Sequence, residues 1–330
     1  MSRLFLKEPL MRAYRCPISA QICAIPILAS TLFGPNGDMP EARAIAFLAR
    51  EIPQWSPTHN CFSCHNNGDA ARALYTAKRL GFTIPPKSLE DTTAWLTEPK
   101  RWEHNGGNGE FNDRRLARVQ FAAALQIATE SGAVQNSEPL VEAAIALAME
   151  QSADGSWLND STALIGSPAT YGRPLATFMA RETLKAADSS RFATNIQRAE
   201  SWLRSVKIHN VMDAAVVLLA SAGPSGPDWI RARADAFALL KNGQADAGRG
   251  GPVVTAGPEP FDTALVLLAL SQNMDSFDCL AMMRHGREFL IASQLPDGSW
   301  NETTRPSGAE SYAQRISTTG WATLALLATR

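Results

Sequence analysis

From about residue 40 onward, apolar residues recur at three- and four-residue spacing, and strand-like alternation is scarce. The pattern predicts twelve helices, near 40–51, 68–82, 88–97, 113–131, 137–150 and 170–187, then near 191–205, 210–222, 227–241, 261–272, 276–293 and 310–329. Start signals agree with several of these. Ser88 has Asp91 three residues on, and Ser137 is followed by Pro139 just inside a helix. Asp113 places negative charge at the positive end of the helix it opens. Twelve helices in sequence suggest six hairpins. A lone hairpin cannot bury its apolar face, so such pairs have to stack on one another.

The chain repeats itself. Gln151-Ser152-Ala153-Asp154-Gly155-Ser156-Trp157 returns as Gln294-Leu295-Pro296-Asp297-Gly298-Ser299-Trp300, each time after an Ala/Leu-rich helix. A weaker copy at 244–251 keeps Gly248, Gly250 and Gly251 but no Trp, and eroded copies fall near Trp55, Trp102 and Ser205. These loops are roughly 40–55 residues apart, a helix-pair period. The Asp-Gly pair reverses the chain tightly. The Gln amide suits backbone groups left unpaired at a helix end, and the Trp covers the joint.

The two strong loops resemble the QW repeat of squalene cyclases and protein prenyltransferases, which runs aromatic-Leu-x3-Gln and then Gly-x-Trp. Phe289-Leu290, Gln294, Gly298 and Trp300 match it throughout, and Gln151, Gly155 and Trp157 match its second half. The resemblance covers residues 40–330. It implies an all-α fold, an α/α toroid with inner helices around a central cavity and outer helices around them. Chemistry does not follow from the fold. Squalene-hopene-type cyclases protonate a double bond with the middle Asp of Asp-x-Asp-Asp-Thr. The matching segment here is Glu259-Pro260-Phe261-Asp262-Thr263. Phe261 stands at the donor position and cannot give a proton. Asp262 is then expected to be a helix cap, and is at best a weak catalytic candidate. Prenyltransferases hold zinc with Asp, Cys and His on their last repeats. Cys279 and His285 match no such motif and are expected to be a core thiol and a surface histidine.

The strongest chemical signal is Cys61-Phe62-Ser63-Cys64-His65, the C-x-x-C-H attachment sequence of c-type haem. Two thiols add across the porphyrin vinyl groups, and the adjacent imidazole reaches the iron. The motif resembles that of cytochromes c, though the rest of the chain does not resemble their domain. It occupies the loop of the first hairpin, where a QW loop would otherwise stand. The Asn66-Asn67-Gly68 run reads as a turn, with Asp69 starting the next helix. His104, in the second hairpin's loop, is the candidate for the far side of the iron, with Met149 as a weaker one. A five-coordinate iron is the third outcome, suited to ligand sensing or peroxide chemistry. Two other readings of the motif compete with haem. Zinc would take Cys61, Cys64, His65 and His104, and a redox disulfide would join Cys61 to Cys64.

The ends and the composition complete the picture. Arg3, Lys7, Arg12 and Arg15 precede an uncharged stretch from Cys16 to Gly37. Residues 1–37 therefore read as a signal peptide or leader, with Met11 an alternative start, and 38–330 as one toroid domain. Export to a periplasm or beyond is expected, with membrane contact through this segment if it stays uncleaved. Such a compartment agrees with haem attachment. Cys16 and Cys23 fall in the leader, so no disulfide framework is expected from the five cysteines. A formal net charge of -1 gives no basic excess for nucleic acid. The sequence thus predicts an exported haem c toroid for electron transfer or redox sensing, with a protein redox partner. The alternatives are a cyclase-like enzyme or lipid binder using an apolar ligand in the ring, and a non-catalytic scaffold clamped at the motif.

Overall fold

In the computed structural model, residues 39–106, 114–159, 165–223, 225–243, 257–273, 277–303, 305 and 311–330 are described. Helices account for the regular structure among them, and no strand occurs. The helices are α1 (Pro40–Glu51), α2 (Trp55–His59), α3 (Ala71–Arg79), α4 (Glu90–Leu96), α5 (Arg114–Glu130), α6 (Glu138–Glu150), α7 (Arg173–Asp188), α8 (Ala193–Arg204), α9 (Val211–Ala220), α10 (Pro227–Asn242), α11 (Pro260–Ser271), α12 (Phe277–Ser293) and α13 (Tyr312–Ala328). A π-helical turn, Cys64–Ala70, runs directly into α3, and 3-10 turns cover Ile52–Gln54, Pro86–Ser88 and Pro99–His104.

Two kinds of helix alternate. Those of one kind bury more than one face, most fully in α9 and α13, whose sequences are apolar or small nearly all round. Every residue of α13 from Ile316 to Leu327 is buried, and so is every residue of α9 except Asp213. The other kind buries a single stripe. In α10 only Trp229, Ala236 and Leu240 are buried, at helical spacing. Packing follows the same division. The π turn with α3, then α5, α7, α9, α11 and α13, each packs on the next, and α13 returns to the π turn. These six form a closed inner ring. Helices α1, α4, α6, α8, α10 and α12 lie outside it, each packed on one or two of the ring helices.

The repeated loops are the joints of the outer layer. Gln151 donates from Nε2 to Gly155 O and to Asn195 O of α8, each at 2.9 Å. Gln294 does the same to Gly298 O (3.0 Å) and to Pro40 O of α1 (2.9 Å). Each Gln thus reaches the first turn of the following outer helix, and the second joint ties α12 to α1 and closes the ring. Trp157 and Trp300 are buried, and each indole donates to a carbonyl of the preceding helix, Leu147 O or Leu290 O, at 2.8 Å. Gly155 and Gly298 have φ of +97° and +93°, and a Cβ on either would run into a backbone carbonyl of the next outer helix, that of Arg198 or Arg43. Both the conformation and the close approach demand glycine.

Most expected helices appear within two or three residues of their predicted bounds. The exceptions are local. Ser88 does not cap α4; it is buried in a 3-10 turn, and Leu89 stands at the helix start with no side-chain bond. Ser137 holds its predicted place before α6, without a side-chain cap bond. Trp55–His59 is an additional short helix. Asp113, the leader and the weak loop copy at 244–251 lie outside the described residues.

Candidate functional site

The first hairpin's loop carries the C-x-x-C-H motif into the inner ring. Ser63 starts the π turn, its hydroxyl accepting from the backbone N–H of His65 (3.2 Å) and Asn66 (3.4 Å). Asn67 Oδ1 accepts from Ser63 N at 2.9 Å, and its amide donates to Thr92 at 2.8 Å. Asn66, Asn67, Gly68 and Asp69 are therefore buried helical residues, not the exposed turn that their composition predicts. Asn-Asn-Gly reads as a turn because these side chains bond nearby backbone; here they bond the backbone that starts a helix.

Cys61 and Cys64 are half-buried and not joined in a disulfide. The indole of Trp55 donates to Cys61 Sγ at 3.4 Å. Trp55 also stacks on His59 at 3.7 Å and on Tyr312 at 5.5 Å, so an aromatic stack leads from the thiol to solvent. On the other side of Cys61 lies a cleft of about 500 Å³, lined by Asn60, Phe62, Trp95, Arg101, His104 and Asn105 among others. Asn105 clamps its two walls together, accepting from Phe62 N at 2.9 Å and donating to Phe62 O at 2.7 Å. The loops of the first two hairpins thus lie side by side, as the repeat predicts. His104 is exposed in this cleft, on the side of Cys61.

His65 turns toward the inner ring instead. Its Nδ1 is 3.1 Å from Ser317 Oγ on α13, and desolvation draws its pKa down to about 4. The imidazole is therefore neutral at pH 7, the form that binds metals. Asp69, later on the same π turn, is a buried carboxyl. Gln120 Nε2 donates to Asp69 at 2.8 Å, Tyr171 donates its hydroxyl, and Arg72 lies at 3.6 Å. Arg72 in turn covers the Trp321 ring at 4.4 Å. Burial pushes the Asp69 carboxyl up to about 6, against the pull of Arg72, Tyr171, Ser317 and Gln120.

Asp262 is not a helix cap. It sits in the first turn of α11, fully buried, with Arg305 held on both carboxylate oxygens at 3.0 and 3.1 Å. Arg305 also reaches Glu259 at 2.8 Å and Gly166 O at 3.2 Å, bolting together the loops before α7, α11 and α13. Burial raises the Asp262 carboxyl to about 6, with Arg305 opposing. Phe261 is buried against Trp321. Of the other expectations, Cys279 is buried, His285 lies half-buried beside Arg284, and Met149, the weaker candidate for the far side of the iron, is 82% exposed. Sequence reasoning missed Asp69, Arg72, Gln120, Tyr171 and Ser317 as one cluster. The only local signal was the Asp69/Arg72 spacing of three where the helix turns apolar, at Ala70, Ala71, Ala73 and Leu74.

An attached haem needs two thiols flanking a turn and an imidazole with one nitrogen held and the other available. Cys61, Cys64 and His65 fit this donor set, because Ser317 holds Nδ1. Among the described residues no three His, Cys, Asp or Glu side chains gather around a common point that could hold a metal ion. No helix among them is long and apolar enough to cross a membrane.

The closed ring of inner helices, with QW joints at 151–157 and 294–300, has the all-α toroid fold seen in terpene cyclases. Solved structures of the type II terpene cyclase MstE from Scytonema share it. A variant in complex with its substrate geranylgeranyl dihydroxybenzoate superposes with a TM-score of 0.60 at 15% identity, over 88% of this chain and 96% of that one. The apo enzyme gives 0.59 at 16% identity, over 87% and 96%. A variant with the product merosterolic acid A gives 0.57 at 16%, over 88% and 95%. At such identity the likeness is one of fold alone. No family model and no curated protein matches the chain.

Proposed function

We propose that this toroid is an exported c-type haem protein for electron transfer or redox sensing, with Cys61 and Cys64 as thioether anchors and His65 as axial ligand. The observation that carries the reading is the placement of the motif. Ser63 starts a helical turn so that Cys64 and His65 enter the first inner segment while Cys61 stays in the loop before it. Bound there, haem would supply a one-electron couple. The protein's own part is to hold His65 neutral through burial and to fix its ring through Ser317. The Trp55, His59 and Tyr312 stack beside Cys61 offers an aromatic surface to a redox partner.

Zinc would require the protein to converge its own donors. His65 faces Ser317 while His104 stands in the Cys61 cleft, so haem, which brings four nitrogens of its own, is the better supported cofactor. A cyclase reading lacks its acid: Phe261 occupies the donor position and Arg305 neutralises the neighbouring Asp262. The test is an absorption spectrum of protein made in a host with c-type haem maturation, beside Cys61→Ala/Cys64→Ala. A Soret band that survives acid-acetone extraction, and is lost in the double variant, is expected. Colourless wild-type protein would sink the reading.

A further inference from the structure

Helix α1 lies in the outer layer, yet its charged side chains are engaged at the joint and at its far end. Glu41 is buried against Arg287, and Arg43 donates to Gln294 Oε1 at 2.6 Å. Arg50 bonds its neighbour Glu51 at 3.1 Å. Ala44, Ile45, Phe47 and Leu48 are buried. A surface helix ordinarily turns a charged face to water. Between Met39 and Ala49 the chain instead carries a second apolar stripe, Met39, Ala42, Ala46 and Ala49, at helical spacing and with none of the four buried.

This stripe is one wall of an open trough of about 730 Å³. The segment leaving α3 makes the other wall, with Leu80, Phe82 and Pro85. Leu80 is 48% exposed there. Among the described residues that line the trough none is acidic, and the charged ones are Arg50 and Arg330. Glu51 meets the charge of Arg50. The Arg330 guanidinium lies over the Phe82 ring, 4.9 Å from its centroid, and pairs with no carboxylate side chain among the described residues.

An apolar trough with a cation at its rim is complementary to an amphiphile. The tail leaves water along the stripe, and an anionic head meets the guanidinium. From Met39 to Arg50 the helix rises about 16 Å, and the volume is that of a small-ligand site. The apolar strip is recessed between two walls of one chain. Single molecules can enter such a recess, whereas a bilayer is met by an apolar face that projects.

We propose that the trough between α1 and the α3–α4 connection binds a free long-chain carboxylate of the fatty-acid type, its tail along Met39, Ala42, Ala46 and Ala49 and its head on Arg330. This site is separate from the motif loop, and the proposal does not rest on the haem reading.

The experiment is calorimetric titration of the full chain at pH 8 with laurate, and with neutral dodecanol, for wild type, Ala46→Trp, Ala46→Glu and Arg330→Gln. Ala46 is exposed in mid-helix, so one substitution fills the trough and the other charges it without entering the core. The expected result is one laurate per chain in wild type and no measurable binding in either Ala46 variant. Arg330→Gln should bind laurate about tenfold more weakly and dodecanol as wild type does. Laurate binding that survives both Ala46 variants, or that ignores Arg330→Gln, overturns the proposal. So does the absence of saturable laurate binding. Two further measurements then show what the trough meets instead. A wild-type dimer that Ala46→Glu dissociates in sedimentation would make it a contact between copies. Uptake onto phosphatidylglycerol vesicles that Ala46→Glu abolishes would make it a bilayer contact.

Discussion

The loop 61–65 and the loop 294–300 hold the same position in their hairpins, between an outer helix and the inner helix that follows, yet they are built on opposite principles. The 294–300 loop saturates itself. Asp297 accepts from Ser299 N and Oγ, Gln294 and Trp300 each find carbonyls, and Arg315 binds Asp297 and Ser299. The 151–157 loop repeats this bond for bond, with Asp154, Ser156 and Arg173. The motif loop is less complete: Asn66 Oδ1 is buried without a partner. Buried polar groups left open are costly.

That contrast can be broken at either loop. The largest effect is expected at the joint. Trp300→Ala should lower stability by about 3–5 kcal/mol in denaturant melts, while, on the proposed haem reading, the haem taken up per folded molecule stays at the wild-type level. Loss of haem from molecules that remain folded would show that joint and site are not separable. A smaller effect, with a definite sign, is expected at Asp69. Burial holds its carboxyl at about 6 against an ordinary 3.8, so between roughly pH 4 and pH 6 the folded chain binds more protons than the unfolded one. Its contribution to stability is therefore lost as pH rises through that window. Haem-free wild type should lose stability relative to Asp69→Asn from pH 4 to pH 6. A difference that is flat or rises with pH would mean that the carboxylate is better solvated than this packing allows. The smallest effect is expected at Arg315, a partly exposed partner of Asp297. Arg315→Ala should cost under about 1 kcal/mol, and a larger loss would make the ion pair part of the joint itself.

What the sequence reveals follows from the range of the interactions involved. Inner helices are legible because enclosure on all sides leaves an unbroken Ala/Leu/Val run, as in Val211–Ala220. The joints are legible because Gln, Gly and Trp act within seven residues of one another. The ring centre is not, since Asp69 meets Tyr171 across 102 residues and Asp262 meets Arg305 across 43. Asn66 and Asn67 mislead for a related reason: the same side-chain amides that make a turn can also brace a buried helix start. The partner that settles the case for Asn67, Thr92, lies in the next hairpin.

The second joint has a topological consequence. Because Gln294 binds the first turn of α1, and Met39 and Arg330 line one groove, the two ends of the described chain meet where any two neighbouring hairpins meet. The ring has no preferred beginning. A gene that joined these ends through a short linker and opened the chain between α7 and α8, at 189–192, would encode the same circle read from another hairpin. It would also carry the C-x-x-C-H motif in the middle of the chain, so that the ribosome would complete half the ring before the two thiols appeared.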